Sequence, residues 1–286
     1  MERRQTIGVE SFQMEAPPPK DPLTEPEPWN VVATGYDEEF CTALPGLVNS
    51  AVSHLGVPPE STVLDLATGP GTFAVRAAPR FAKIVAVDFA KQMIERLEAH
   101  LEREGIRNIE ARVMDGHALT LPDASFDAVV SMFGWFMFSD RARALAEIHR
   151  VLRPDGRVLV TSWAPPDRNT VLGMGIEALR HVLPDLPRPP GPLPTQIPET
   201  CAAEVRAAGF RDVRTDLVRT TAEYDSVDAY WRTMQRAGAP MVVLRNKLGD
   251  DRFNETIQKG REYLLTKLGS GRVTLQAEAI YTSATR

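Results

Sequence analysis

Thr62-Val-Leu-Asp-Leu-Ala-Thr-Gly-Pro-Gly-Thr-Phe-Ala74 is the stretch that decides the fold. Apolar residues around Asp65 predict a buried strand over 62–67. Gly69 and Gly71 predict a tight turn, and 72–80 reads as a helix. Glycine leaves no Cβ between the backbone and a ligand. The helix start beyond the turn presents free N–H groups. A turn of this kind after a buried strand is where open α/β sheets bind nucleotides. The spacing Gly69-x-Gly71-x-x-Ala74 is a loose form of the dinucleotide fingerprint, so a nicotinamide-dependent oxidoreductase is one reading.

Outward from this stretch the chain alternates strand and helix. Strands are predicted over 83–88, 109–114, 126–132 and 157–163, and helices over 90–104 and 139–152. That alternation implies an α/β fold, a doubly wound parallel sheet with helices on both faces. The second strand ends in Asp88, 17 positions after Gly71. An acidic residue near that distance accepts hydrogen bonds from ribose hydroxyls. Phe89 and Met93 follow, placed either to cover an adenine face or to pack in the core. The third strand runs into Asp115-Gly116-His117, where Asp115 either meets an adenine amino group or closes an Asp-Gly turn.

Residues 1–28 hold Pro17, Pro18, Pro19, Pro22, Pro26 and Pro28 and read as a flexible arm. Residues 29–286 read as one domain. It opens with two cap helices over 29–56, broken at Pro45-Gly46. It carries helical lid insertions over 164–198, rich in proline after 183, and over 221–268. Further helices are expected at 170–182, 199–208, 226–236 and 250–268. Residues 211–220 and 272–284 read as strands. The last alternates Val273, Leu275, Ala277, Ala279 and Tyr281 on one face and is placed to pair antiparallel with 211–220.

Together these motifs resemble the class I S-adenosylmethionine-dependent methyltransferases, in particular the UbiE-like small-molecule group. The first motif, the Val87-Asp88-Phe89 strand end, Asp115-Gly116-His117-Ala118 with Leu121-Pro122, Ser125 through Ser131, and Glu147-x-x-Arg150 through Gly156 match in order. The resemblance runs from about Trp29 to Pro165. It implies a Rossmann-like sheet of order 3-2-1-4-5-7-6, with S-adenosyl-L-methionine as cofactor. On that resemblance Asp65, Ala67, Gly69 and Gly71 cradle the methionine moiety. Asp88 holds the ribose, Asp115 with Gly116 and His117 lies at the adenine, and the backbone of Ser131 meets the amino group. Trp29 and Tyr36 close over the cofactor, unless Tyr36 only packs its helix.

Two departures stand out. Ala67 and Thr68 occupy positions where relatives carry other small or polar residues. The segment Met132-Phe-Gly-Trp-Phe-Met-Phe138 has no histidine pair near Phe136 and Met137. No Asn-Pro-Pro-Tyr motif of nitrogen methylation is present either. Phe133, Trp135 and Phe136 suit an apolar or planar acceptor, or a loop packed under the lid. His181, in the insertion, is the candidate general base, with Tyr36 a weaker one. His100 and His149 read as solvated, and His54 as a helix-end cation.

Composition narrows the classes. With 33 basic and 38 acidic residues the net charge is −5, against a nucleic-acid substrate. Cys41 and Cys201 have no metal-ligand spacing, so no metal is expected and both read as reduced thiols. No run spans a membrane and no signal peptide is visible, so a cytoplasmic location is expected. The expected activity is methyl transfer to a small acceptor. A repurposed, pericyclase-like binder of the same cofactor is the alternative.

Overall fold

A computed structural model describes residues 20–41 and 44–286. Seven strands form one sheet in the order β3-β2-β1-β4-β5-β7-β6. Its parallel half is β1 (Thr62–Leu66), β2 (Lys83–Asp88), β3 (Ile109–Val113), β4 (Phe126–Ser131) and β5 (Leu152–Trp163). The long strands β6 (Arg211–Tyr224) and β7 (Val273–Thr285) pair antiparallel, and β7 also runs antiparallel to β5. The expected fold is the observed one.

Alternate residues of each central strand feed two core layers, as the period of a strand requires. Val63, Ile84, Ala128 and Leu159 enter one layer. Leu64, Val85, Val129 and Val158 enter the other. On the first face lie α2 (Pro45–Leu55), α3 (Thr72–Ala77), α4 (Lys91–Glu104) and α6 (Thr170–Val182). On the second lie α5 (Arg141–Val151) and α7 (Pro198–Ala207). The predicted inward face of β7, from Val273 to Tyr281, is buried in the first layer.

The differences from the predicted elements are local. Regular structure begins well inside the stretch read as an arm. A 3-10 turn spans Pro22–Thr24, with Leu23 N–H donating to the Asp21 carboxylate at 3.0 Å, and α1 spans Pro26–Gly35. Pro26 and Pro28 sit in the first turn of α1, where the missing N–H costs little; residues 1–19 lie outside the described residues. After α1 the backbone tightens into a π-helical turn, Tyr36–Phe40. Strand β5 starts at Leu152, five residues early, because Asp155-Gly156 forms an irregularity inside it, with Asp155 at φ +62°, rather than a turn before it. A helix the sequence did not announce, α9 (Ala239–Leu248), lies between α8 (Val227–Ala237) and α10 (Asp250–Leu268). Pro240 in its first turn hides it, and its buried Ala239, Met241 and Leu244 make a narrow stripe.

Candidate active site

The carboxyl ends of β1, β2 and β4 open into a cavity of about 770 Å³. Its floor is the turn after β1. The Asp65 carboxylate is fully buried there. Its Oδ2 accepts from Thr68 Oγ1 at 2.6 Å and from Ala74 N–H at 3.2 Å, while Oδ1 has no partner. Burial pushes its pKa up to about 7, against the effect of those bonds. Asp88 ends β2 and accepts from Gly69 N–H at 2.8 Å and Ala90 N–H at 2.9 Å; burial pushes it up to about 6. One carboxylate thus bridges the glycine turn to the start of α4.

Two strained backbone positions lie at this floor. Ala67 (φ +57°) and Phe133 (φ +58°) occupy the left-handed region without being glycine. The two loops interlock: a Cβ on Gly134 would lie 2.4 Å from that of Ala67, and Phe133 N–H donates to Thr161 Oγ1 at 2.9 Å. Gly69, also left-handed, is bare toward the cavity. A Cβ there would meet only Met93 Sδ and the Tyr36 ring, each at 4.0 Å.

The end of β3 forms one side. Asp115 accepts from His117 N–H at 2.9 Å and faces His117 Nδ1 at 2.8 Å. Burial raises its pKa, but the bonds from His117 prevail and hold it below the ordinary carboxylate value. The Asp-Gly turn and the cavity position therefore coexist. Gly116 admits the Phe138 ring, which a Cβ would meet at 2.5 Å. The Glu147-x-x-Arg150 signature braces this side from behind. Arg150 donates to the carbonyls of Leu119 and Leu121, and Glu147 accepts from Leu119 N–H at 2.8 Å.

The cap comes from the N-terminal segment. Trp29 Nε1 donates to Leu23 O at 2.9 Å, and the rings of Trp29, Tyr36 and Phe40 follow one another along the wall. Burial pushes the Tyr36 hydroxyl far above its ordinary value, with the neighbouring Cys41 and Asp88 adding to the shift. Burial likewise pushes the Cys41 thiol up to about 12. Ion pairs pin the π-helical turn. Asp37 reaches Arg96 at 3.0 Å and His100 at 2.6 Å, and Glu38 and Glu39 reach Arg236 on α8.

Of the residues singled out in the sequence, Trp29, Tyr36, Asp65, Ala67, Gly69, Asp88, Phe89, Met93, Asp115, Gly116, His117 and Phe133 line this cavity. Five do not. Gly71 (φ +88°) serves packing, since a Cβ would lie 2.4 Å from Leu97 of α4. Ser131 is fully buried behind the wall, its hydroxyl without a partner. Trp135 is a core residue of the second layer, 1% exposed, and Phe136 packs against that layer. His181 stacks on Tyr263 at 4.3 Å beside a separate groove and does not line the cavity. No described lining residue comes from 164–198 or 221–268. From the second of these, α8 and α9 pack on α1 of the cap, whereas α6 of the first packs on α10 and β7. His100 and His149 are half-buried, the first on Asp37 and the second against Phe210.

The sequence missed the cap's own lining: Thr24, Glu25, Phe40, Cys41, Leu44 and Val48. The last four continue a helical apolar stripe, and a stripe does not say whether it faces a core or a cavity. Among the described residues no cluster of His, Cys, Asp or Glu could hold a metal. The floor suits a nucleoside with a cationic tail: two buried carboxylates, an orphaned Asp65 oxygen and a bare Gly69 backbone.

Comparison with known proteins agrees. Residues 63–156 match the Methyltransferase domain family. The chain is 36% identical over 165 residues to the demethylmenaquinone methyltransferase of Deinococcus radiodurans, covering 52% of this chain and 67% of that one. With the demethylmenaquinone methyltransferase of Thermotoga maritima identity is 41% over 122 residues, covering 42% of this chain and half of the relative. Among solved structures, the YcgJ protein of Bacillus subtilis superposes with a TM-score of 0.55 at 21% identity, over 84% of this chain and 97% of that one. That likeness concerns the fold. The family match sets aside the nicotinamide reading. No helix among the described residues is long and apolar enough to cross a membrane.

Proposed function

The chain belongs to the class I S-adenosylmethionine-dependent methyltransferases, and from that premise we propose that it methylates a small, largely apolar or planar organic acceptor. The carrying observation is a single cavity with two characters. Its floor is acidic and backbone-lined. Its far wall is Phe40, Leu44, Val48, Phe73, Met132 and Phe133. When bound, the cofactor supplies a methyl group already activated on a sulfonium.

On this reading Asp88 takes the ribose hydroxyls, and Phe89, Met93 and the Asp115-Gly116 turn enclose the adenine. Asp65, Ala67 and Gly69 hold the methionine portion, whose cationic charge suits the two carboxylates. Tyr36 closes over it as a neutral O–H donor. The apolar wall aligns the acceptor and keeps water out, and alignment alone supplies much of a displacement's acceleration. Among the described residues no base stands on that wall, since the Cys41 thiol holds its proton to about pH 12. The acceptor therefore brings its own lone pair or carbanionic carbon. The relatives' names specify demethylmenaquinone, a planar quinone, which is the kind of body this wall would take.

The test is incubation with S-adenosylmethionine and a panel of naphthols, hydroquinones and aromatic amines, read by product mass. A gain of one methylene on a member of the panel is expected. Tight cofactor binding without turnover of any member would favour the repurposed-binder reading.

A further inference from the structure

The apolar wall is interrupted by one polar pair. Cys41 closes the π-helical turn and Thr72 opens α3, and their Sγ and Oγ1 atoms lie 2.7 Å apart on the cavity surface. Each group carries one hydrogen. The bond between them uses one and leaves the other. Among the described residues neither side chain has a second hydrogen-bond partner. The surrounding Phe40, Leu44, Val48, Phe73, Met132 and Phe133 supply no strong acceptor. Both side chains are partly exposed to the cavity, so an apolar body seated against them strips that hydrogen of water, and a donor left unpaired in this way is costly. The thiol stays protonated because burial lifts its pKa.

We propose that the Cys41–Thr72 pair is the polar anchor of the acceptor site, donating one hydrogen bond to a carbonyl or oxyanion oxygen on an otherwise apolar acceptor. This rests on the reading of the cavity as a methyl-transfer site. An ammonium-bearing acceptor is disfavoured there, because among the described residues no carboxylate stands on that wall to receive it. A pure hydrocarbon body fits the wall but leaves the hydrogen unpaired. The anchor selects the acceptor and takes no proton from it.

The test uses two probes of matched shape, 2-acetylnaphthalene and 2-ethylnaphthalene, titrated into the whole protein with S-adenosylhomocysteine present. The wild type should prefer the ketone by about tenfold, the scale of one hydrogen bond against an unsatisfied donor. In Cys41→Ala/Thr72→Val the preference should fall to within about twofold, through loss of ketone affinity. Cys41→Ser and Thr72→Ser keep both hydrogens and should retain it. A vibrational measurement needs no variant: the carbonyl stretch of the bound ketone should lie below its position in hydrocarbon solvent. Equal binding of the two probes, failure of both to bind, an unshifted carbonyl, or a preference that survives the double substitution would overturn the anchor. Failure of the wild type to bind S-adenosylmethionine would overturn the underlying site reading instead.

Discussion

Asp65 and Asp88 set the electrostatics of the cavity floor. Burial raises both from the ordinary 3.8, to about 7 and about 6. Between pH 4 and 7 the folded protein therefore holds protons that the unfolded chain has released, and stability without ligand falls as pH rises through that window. Asp65→Asn places its oxygen at Oδ2 and its amide at the unpartnered side. Its Tm should exceed that of the wild type by a few degrees near pH 7.5, a gap that closes toward pH 4.5. A Tm difference independent of pH would refute the account. A cationic cofactor favours the ionised carboxylates, so S-adenosylmethionine affinity should rise with pH up to about 7 and its binding should release protons. Calorimetry in buffers of different ionisation enthalpy reads that release directly. Gly71 belongs to a different class. With φ +88° and Leu97 2.4 Å from any Cβ, Gly71→Val should destabilise the whole fold by about 2–4 kcal/mol, measured by denaturant unfolding. Cofactor binding lost while stability stays intact would contradict that packing role.

At the scale of elements, the cap is the part that a bound cofactor should steady. The segment from the Pro22–Thr24 turn through the π-helical turn carries the cavity's roof. Its hold on the rest of the protein joins an apolar cluster, Val32 and Ala33 against Ala90, Met93 and Ala239, to side-chain charges: Asp37 to Arg96 and His100 on α4, Glu38 and Glu39 to Arg236 on α8. A π-helical turn at such a place is the usual local irregularity of a binding wall. Because α4 begins just beyond Asp88, a ligand on that carboxylate steadies the element on which Asp37 rests. Hydrogen exchange should slow across 20–41 when S-adenosylmethionine binds, while 170–182 around His181 is unchanged. Protection centred on His181 instead would restore the lid insertion to the site.

At the scale of the molecule, the segment after β4 divides its side chains between two tasks. Trp135 enters the core layer shared with α5 and α7, whereas Phe133 stacks on Trp163 at 3.8 Å and faces the cavity. Trp135→Ala should cost about 3–5 kcal/mol of stability, as emptied core sites of that size do, with the acceptor KM of the folded fraction preserved. Phe133→Ala should do the converse, raising KM severalfold at a smaller stability cost. Equal effects of the two on KM would place Trp135 back in the site.

The sequence by itself determined the parallel half of the sheet, the glycine turn and the acidic floor of the cavity. Each depends on neighbours in the chain: Val63 through Leu66 alternate between two faces, Gly69 takes its left-handed φ locally, and Asp88 ends a strand whose pairing places it beside that turn. The closing β7 was legible for the same reason, through its strict alternation. The tertiary structure alone decided which apolar side chains face a cavity rather than a core. Trp135 and Phe133 are two residues apart and chemically alike, and only the left-handed backbone at Phe133, fitted against Ala67 through Gly134, sends them to different places. It also decided that Cys41 meets Thr72 and that His181 meets Tyr263. Those pairings join segments far apart in sequence, and their geometry follows from how whole elements pack.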